Sequence, residues 1–312
     1  MLTPSKPPCA TAARNTSAPS PALGEASMPP RKHDSANPVD RAATGSDSID
    51  ASVPNAARVW NYLLGGKDFF PADEQAGEQM IDACPTIAEA VQANRDFLGR
   101  VVTFMAGAAG IRQFLEVGPG LPAFLWNNTH HVAQNIAPAA RVVYVDNDPF
   151  VLACARALLT SKPEGAVDYV NADLRHPDAV LNAAAVTLDF DQPIGLILLG
   201  VLHYVPDDAI VCGILTTLAD RLPSGSMAAI SWAAVSTPPV NGLQAALRVL
   251  QDLGGPAITT RTPQTLERHV TDAGLQLLDP GVVPCTWRPE LDLAQTPAAA
   301  LCCCVARKSP KR

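Results

Sequence analysis

The sequence predicts an α/β fold in which helices cover a mainly parallel sheet, and three observations indicate it. Short apolar runs alternate with helix-like stretches from residue 113 to residue 232, which is typical of strand–helix–strand units. The first run ends in the turn Gly118-Pro119-Gly120, and the second ends in an acid, Asp146. A strand, a glycine turn, a helix and a second strand with an acid at its end form half of a nucleotide pocket.

The helices and strands can be predicted in chain order. Three helices precede the sheet, with Gly65-Gly66 as a C-cap for the first and a break at Pro85 before the third. The run at 194–199 is continuously apolar, which is typical of a strand buried on both faces of a parallel sheet. The predicted helices are residues 56–64, 73–83, 86–108, 207–222 and 263–273, and the predicted strands are residues 113–117, 141–145, 167–171, 194–199, 227–232, 275–284 and 301–305.

The first fifty residues differ from the rest of the chain. Residues 1–50 are dominated by Pro, Ala, Ser and Thr and have almost no large apolar side chains, so they cannot bury enough surface to offset the entropy of ordering. They lack the apolar core of a secretory signal, and no later stretch has the length and uniformity of a membrane span. We expect a disordered tail on a cytoplasmic protein with no membrane partner.

Charge and cysteine content narrow the classes of protein and site. A net charge of −7 disfavours a nucleic-acid partner, because phosphates require a basic face. The eight cysteines lack paired C-x-x-C spacing, so neither a zinc cluster nor a disulfide framework is expected. His130-His131 has no third ligand at a useful spacing, and no metal site is predicted. Cys302-Cys303-Cys304 lies in an apolar run and is interpreted as buried thiols of a core strand in a reducing compartment.

The glycine turn favours one nucleotide cofactor over another. Residues 118–123 fit the dinucleotide pattern G-x-G-x-x-A. However, Pro119 and Pro122 remove backbone donors that a pyrophosphate would use, and the charge of Glu116 would repel it. S-adenosylmethionine carries a sulfonium and an ammonium and no phosphate, so the same carboxylate suits it. The residues therefore favour S-adenosylmethionine, with NAD(P) and a turn that binds no ligand as the alternatives.

Six segments in a fixed order carry a family resemblance. They are PNAARVWNYLLGGKD at 54–68, ANR at 93–95, IRQFLEVGPGLP at 111–122, RVVYVDNDP at 141–149, VLHYVPD at 201–207 and LDPGVV at 278–283. Together they resemble the actinobacterial S-adenosylmethionine-dependent methyltransferases formerly catalogued as a domain of unknown function. The chain departs from that family's pattern at Glu116, where Asp is usual, and at Pro119, where Thr or Ser is usual.

The resemblance implies a fold and its organisation. It implies a Rossmann-like class I methyltransferase with a mainly parallel seven-stranded sheet, helices on both faces and a last strand inserted antiparallel. It covers about residues 53–307, which divide into an N-terminal helical cap at 53–108 and an α/β core at 111–307.

The glycine turn is expected at the methionine end of the cofactor, and two residues of the N-terminal helices are expected to contact the cofactor. Glu116, Gly118 and Gly120 would line it, because a Cβ at either glycine would occupy the space of the ligand. The resemblance implies that Tyr62 covers the cofactor and that Arg95 pairs with its carboxylate. Ordinary helix packing is the alternative for both residues.

Polar residues after the second and third strands are expected to hold the nucleoside. Asp146 would accept hydrogen bonds from both ribose hydroxyls, with Asn147 beside it, whereas Asp148 would cap the next helix. Asp173 would accept from the adenine amino group, and the Leu174 backbone would complete that contact. The alternatives are a capping role for Asp146 and a solvent-facing loop position for Asp173.

His203 follows the fourth strand, on the side of the sheet where open α/β folds bind ligands. Its intrinsic pKa makes it the candidate general base of the chain, and a structural histidine is the alternative. Methyl transfer from a sulfonium needs alignment and exclusion of water more than it needs a base. The absence of an obvious catalytic dyad is therefore compatible with the prediction.

The predicted function is methyl transfer from S-adenosylmethionine to an oxygen or nitrogen nucleophile of a small molecule. The alternatives are an NAD(P)-dependent oxidoreductase and a catalytically silent relative that binds the cofactor. A homodimer is left open.

Overall fold

The structure is a computed structural model, and it describes residues 49–122, 128–235, 239–287 and 300–310. These residues belong to one compact unit, Ile49–Arg312. The predicted tail at 1–50 lies outside the described residues except for its last two positions.

The described chain begins with three helices and continues as an alternation of strands and helices. The helices are α1 (Ala56–Leu63), α2 (Pro71–Ala83), α3 (Ile87–Ala106), α4 (Thr129–Ile136), α5 (Pro149–Leu158), α6 (Pro177–Ala184), α7 (Asp208–Arg221), α8 (Leu243–Asp252) and α9 (Pro263–Asp272). The strands are β1 (Gln113–Val117), β2 (Arg141–Asp146), β3 (Ala166–Asn171), β4 (Ile194–Leu199), β5 (Met227–Ala233), β6 (Leu275–Leu277), β7 (Val283–Pro284) and β8 (Leu301–Lys308). A 3-10 turn, Leu202–Tyr204, follows β4.

The sheet has the order β3-β2-β1-β4-β5-β8-β6, with β7 paired to β8. Strands β1 to β5 pair in parallel, and β8 runs antiparallel between β5 and β6. The predicted class I methyltransferase fold is therefore confirmed, including the antiparallel last strand. One detail differs: the strand predicted at 275–284 is two strands, because the chain turns at Gly281, which has a φ of 84° and donates its N–H to the Leu278 carbonyl.

The sheet lies between two helical layers, each of which buries an apolar face against it. One layer contains α1 to α4 and α8, and the other contains α6, α7 and α9. Every residue of β1 and of β5 is buried, as expected for central strands covered on both faces. The triplet Cys302–Cys304 lies in β8 and is buried, which agrees with its interpretation as core thiols. Burial raises the pKa of the Cys302 thiol to about 12.

Helix α8 is not among the helices predicted from the sequence. Its core-facing residues Leu243, Ala246, Leu247 and Leu250 have the spacing of a buried helical face. The helix begins after Gly242, which has a φ of 75° and offers no side-chain cap. A start signal was therefore absent, and the apolar spacing was the signal available.

The position of α1 is set by a buried ion pair. Arg58 Nε donates to Asp73 Oδ2 of α2 at 2.6 Å, and the two side chains are 4% and 0% exposed. Asp73 also accepts from the backbone N–H groups of Asn55 and Phe70, each at 2.8 Å. Asn55 caps α1 through its side-chain oxygen and donates through Nδ2 to Asp148 at 2.8 Å. These contacts hold α1 against α2 and against the loop that follows β2.

The described helices include none that is both long and apolar enough to cross a lipid bilayer. Within the same residues, no group of three or more His, Cys, Asp or Glu side chains has an arrangement that could hold a metal ion.

Candidate functional site

A cavity of about 450 Å³ lies at the carboxyl ends of the parallel strands. It is located where the strand order reverses, between β1 and β4, which is the usual ligand position of an open α/β sheet. Helices α1 and α3 form its other side. The lining includes all the predicted site residues except Tyr62, namely Arg95, Glu116, Gly118, Gly120, Asp146, Asn147, Asp173, Leu174 and His203.

Glu116 lies at the floor of the cavity near the end of β1. Glu116 is 4% exposed, and burial raises the pKa of its carboxyl, although the Thr129 hydroxyl and the charge of Arg95 act in the opposite direction. The Thr129 hydroxyl lies close to the carboxylate but outside hydrogen-bond geometry, and Glu116 Oε2 has no partner among the described residues. The site therefore contains a buried acceptor that is available to a cationic ligand.

The two glycines of the turn after β1 serve different purposes. Gly118 and Gly120 have φ values of 71° and 65°, in the left-handed region that favours glycine. A Cβ on Gly118 would lie 2.7 Å from the Val201 side chain, whereas a Cβ on Gly120 would meet nothing within 4 Å. Packing excludes a side chain at Gly118, and at Gly120 the space beside the backbone is open.

Arg95 of α3 faces the same region as Glu116. Its Nη2 donates to Asn128 Oδ1 at 2.8 Å, and its Nε is buried with no hydrogen-bond partner in the described part of the chain. Arg95 and Glu116 are close enough for each to shift the other's pKa, yet they form no ion pair with each other. A free donor and a free acceptor of opposite charge thus line one end of the cavity.

The end of β2 supplies a second buried carboxylate. Burial raises the pKa of Asp146 to about 6, although the backbone N–H groups of Asp148, Asn147 and Gly120 act in the opposite direction. The N–H of Asp148 donates to Asp146 Oδ1 at 2.9 Å. The Asp148 side chain accepts from the Phe150 N–H and caps α5, as the sequence predicts. Asp146 does not cap α5, and its side chain lines the cavity.

Asp173 and Leu174 follow β3 at the far end of the cavity. The Asp173 carboxylate pairs with the exposed Arg175, whose Nε contacts both carboxylate oxygens at 2.9 and 3.0 Å. Hydrogen bonding from Arg175 lowers the pKa of Asp173. Asp173 is therefore ionised at neutral pH, and Arg175 is a neighbour for which the sequence predicts no role.

His203 lies in the 3-10 turn after β4 and is fully buried. Burial lowers its pKa to about 3, and the nearby charge of Arg261 acts in the same direction. The backbone N–H of Ala233 lies 3.3 Å from Nδ1, so the ring nitrogen that carries the hydrogen is Nε2. Nε2 has no partner among the described residues. The ring is neutral at physiological pH and offers a donor.

Tyr62 is not among the residues that line the cavity, in contrast to the expectation. Its ring packs edge-on against Phe69, with centroids 5.1 Å apart, and covers Gly77 of α2. Trp60, two positions earlier on α1, lines the cavity instead and donates from Nε1 to Tyr204 Oη at 2.8 Å. The Arg58–Asp73 ion pair between α1 and α2 determines which face of α1 lines the cavity. No residue near Tyr62 in the sequence indicates that face.

Asn94 is a second lining residue with no role assigned from sequence. Its Oδ1 accepts from the Ser231 hydroxyl at 2.6 Å, and Ser231 Oγ accepts from the Gly200 N–H at 3.1 Å. The motif Ala93-Asn94-Arg95 carries part of the family resemblance, so the position was visible, but its contact lies 137 residues away.

The lining fits S-adenosylmethionine by charge and by space. The ligand's amino-acid end carries an ammonium and a carboxylate, and the cavity presents the unpartnered Glu116 Oε2 and Arg95 Nε at one end. The open space beside Gly120 allows a ligand to approach the protein backbone closely, and Asp146 lies at the end of the adjacent strand. Buried polar groups without partners are uncommon in folded proteins, so such a set indicates a bound group.

Comparisons with known proteins agree with this geometry. A family model described as S-adenosyl methyltransferase matches residues 42–309. A crystal structure of a DUF574 family protein from Streptomyces avermitilis is 38% identical, with a TM-score of 0.78, and the match covers 83% of this chain and 99% of that chain. A protein of Thermobifida fusca, described as a proposed methyltransferase, is 36% identical, with a TM-score of 0.75, and the match covers 86% and 99%. No protein of curated function matches the chain. The chain therefore belongs to the S-adenosyl methyltransferase family, and S-adenosylmethionine rather than NAD(P) is its cofactor.

Proposed function

We propose that the protein transfers the methyl group of S-adenosylmethionine to an oxygen or nitrogen nucleophile of a small molecule bound in this cavity. The observation that carries the proposal is that α1 and α3 cover the carboxyl ends of β1 and β4 and leave a cavity of about 450 Å³. That volume is in the range of small-molecule sites, roughly 300 to 1,000 Å³. The net charge of −7 argues against a nucleic-acid acceptor.

The cofactor roles follow from the charges along the cavity. Glu116 would accept from the ammonium and Arg95 would donate to the carboxylate of the methionine end, with Gly118 and Gly120 forming the turn beside them. Asp146 would accept from both ribose hydroxyls in a charge-assisted contact. The remaining contacts would be made by the polar and apolar residues beyond β2 and β3, namely Asn147, Asp173 and Leu174.

The chain's own residues would act by orientation and by exclusion of water. When bound, the cofactor supplies a methyl group on a positively charged sulfur. Trp60 and Tyr204, joined by their hydrogen bond, would cover the reacting region from the side of α1. Holding two reactants in line lowers the barrier by several kcal/mol, up to roughly 7 to 11 kcal/mol in well-oriented cases. This is the main contribution that the cavity can make.

His203 is better suited to donate a hydrogen bond than to act as a general base. A pKa of about 3 makes the ring a weak proton acceptor, and Nδ1 already accepts from the Ala233 N–H. We therefore propose that His203 orients the loop after β4 and donates from Nε2. A His203→Gln variant keeps a donor there, so it should retain most of the methyl-transfer rate if the role is donation.

The domain limits and the location in the cell are also proposals. We infer that residues 53–307 form the functional domain, with 53–108 as its helical cap. We infer a cytoplasmic location because the seven described cysteines are free thiols, which is usual in a reducing compartment.

Calorimetric titration with S-adenosylhomocysteine tests the cofactor site. Glu116→Ala and Asp146→Ala should each weaken binding about 10- to 100-fold, because a hydrogen bond to a charged group contributes about 1.5 to 3 kcal/mol. Glu164 is exposed in a turn away from the cavity, so Glu164→Ala is the matched control and should bind normally. Unchanged affinity in both cavity variants would show that the cofactor lies elsewhere.

Methyl transfer itself requires a product. Purified protein should be incubated with methyl-labelled S-adenosylmethionine and fractions of a small-molecule extract, and the label followed by mass spectrometry. Label in a small organic molecule supports the proposal. Label in protein or nucleic acid alone contradicts it, and cofactor binding without any labelled product would favour a catalytically silent relative.

A further inference from the structure

The charged residues of the cavity are all located in its cofactor half. The charged lining residues are Arg95, Glu116, Asp146, Asp148, Asp173 and Arg175, and they lie on α3 or at the ends of β1, β2 and β3. The other half lies over the ends of β4 and β8. Among the described residues that line this half, Trp60, Asn94, Tyr204, Pro256 and Leu301, none carries a charge. The nearest charges act there with opposite signs, because Asp146 raises the pKa of Tyr204 and Arg261 lowers that of His203, so neither an anionic nor a cationic acceptor gains a clear partner. Desolvation of a charged acceptor is strongly unfavourable without a partner.

Aromatic rings form one wall of this second half. Trp60 donates to Tyr204 Oη at 2.8 Å, and the His203 ring lies edge-on to Tyr204 with centroids 4.4 Å apart. The Trp60 and His203 rings are 6.3 Å apart. Burial raises the pKa of Tyr204 and lowers that of His203, so the wall is neutral near pH 7. Such a wall favours the face or edge of a flat ring.

A fixed hydrogen-bond donor stands beside this wall. Asn94 Oδ1 faces the Ser231 hydroxyl at 2.6 Å, and the Cys285 thiol approaches the same oxygen at 3.7 Å. The oxygen end of the amide is therefore committed to protein groups. The amide Nδ2 would lie 3.7 Å from a Cβ placed on Gly200, at the end of β4. Its donors are thus directed to the strand end where the methyl acceptor would lie.

We propose that the methyl acceptor is an uncharged molecule that packs a flat ring against Trp60 and Tyr204 and places a hydroxyl oxygen at the Asn94 amide. This rests on the proposed function and narrows it to oxygen methylation. A hydroxyl oxygen has two lone pairs, so it can accept from Asn94 with one and attack with the other. A neutral amine has a single lone pair, so it could not accept from Asn94 and attack the methyl carbon at the same time.

The transfer balances without a further reactant. An oxygen lone pair forms the bond to the methyl carbon, the carbon–sulfur bond breaks with its electron pair on sulfur, and the hydroxyl proton passes to bulk water outside the cavity. The products are a methyl ether and S-adenosylhomocysteine.

Three ring probes of matched shape test the class of acceptor. p-Cresol is neutral, p-toluate is anionic and 4-methylbenzylammonium is cationic at pH 7. Each is titrated into protein saturated with S-adenosylhomocysteine, and binding is followed by ligand-observed NMR. We expect p-cresol to bind at least tenfold more tightly than either charged probe. Equal or tighter binding of a charged probe, or no binding of any probe up to 10 mM (roughly 3 kcal/mol of affinity), would overturn the inference.

Variants test the two contacts separately. Asn94→Ala should weaken p-cresol binding about threefold to tenfold, as expected for one neutral hydrogen bond, and leave the affinity for S-adenosylhomocysteine within twofold. Asn182→Ala, at an exposed position of α6, is the matched control and should change neither. An equal loss of affinity for S-adenosylhomocysteine would assign Asn94 to the cofactor site and overturn its role in binding the methyl acceptor.

Trp60→Ala is a second, independent variant should Asn94→Ala fail to fold. It should lower p-cresol affinity more than tenfold, whereas unchanged p-cresol affinity would exclude the aromatic wall. Failure of S-adenosylhomocysteine to bind the unaltered protein would contradict the proposed function. Normal cofactor binding with preference for a charged ring would contradict this inference alone.

Discussion

Replacing Asp146 by Asn should stabilise the fold and weaken cofactor binding at the same time. Burial raises the pKa of this carboxyl from 3.8 to about 6. One pKa unit corresponds to about 1.36 kcal/mol, so the ionised side chain costs the free protein up to about 3 kcal/mol at neutral pH. Asn removes the charge and keeps an oxygen for the Asp148 N–H, which donates to Asp146 at 2.9 Å. We expect the free energy of unfolding to rise by about 1 to 3 kcal/mol at pH 7.5.

The size of this gain should depend on pH in a defined direction. A carboxyl whose pKa is raised on folding contributes stability that is fully present below its unfolded pKa of about 3.8 and is lost as pH rises through about 6. The wild-type protein is therefore penalised above pH 6 and the Asn variant is not. The gap between them should close as pH falls from about 6 towards 4.

Urea unfolding followed by circular dichroism at several pH values measures the gap. Glu164→Gln is the matched control, since the exposed Glu164 should show no such effect. Calorimetry with S-adenosylhomocysteine should show that Asp146→Asn binds at least tenfold more weakly, because the charge-assisted contact is lost. A variant that is less stable than wild type at pH 7.5, or that binds S-adenosylhomocysteine normally, would refute the reasoning.

Three further outcomes are expected. Affinity of the wild type for S-adenosylhomocysteine should fall about tenfold between pH 8 and pH 5, because only about one Asp146 in eleven is ionised one unit below a pKa of about 6; calorimetry across that range checks it, and a flat profile would remove Asp146 from the site. Gly120→Ala should lose about 1 to 3 kcal/mol of stability, because the residue has a φ of 65°. It should also bind S-adenosylhomocysteine more weakly, because the new Cβ enters open space beside the turn. An unchanged dissociation constant would place the ligand elsewhere. Asp73→Ala should destabilise the protein by about 3 to 5 kcal/mol in urea unfolding, since it leaves the buried Arg58 without its partner, whereas a loss below about 1 kcal/mol would show that the pair is not critical for holding α1.

Much of the sheet and of the cofactor half of the site could be predicted from the sequence, because their signals are local. The strand ends of β1 and β2, the glycine turn and the capping role of Asp148 all depend on residues within a few positions of one another. The carboxyl ends of parallel strands meet at one edge of a sheet, so Glu116, Asp146 and Asp173 were expected together, and all three line the cavity.

Other features depend on contacts that no local pattern encodes. The buried Arg58–Asp73 pair holds α1 against α2, with Trp60 facing the cavity and Tyr62 covering Gly77. Helical periodicity alone does not show which of these two opposite faces lines the cavity. The contact of Asn94 with Ser231 joins α3 to β5, and the two residues are 137 positions apart in the sequence. The low pKa of His203 comes from burial, which is a property of the packed core.

The sequence by itself determined the fold class and the kind of cofactor, because apolar runs, turn glycines and strand-end acids act through their immediate neighbours. Only the tertiary structure decided which side chains face the methyl acceptor and in which protonation state. Those properties depend on how distant segments pack and exclude water, and desolvation is decided by all the surrounding groups together.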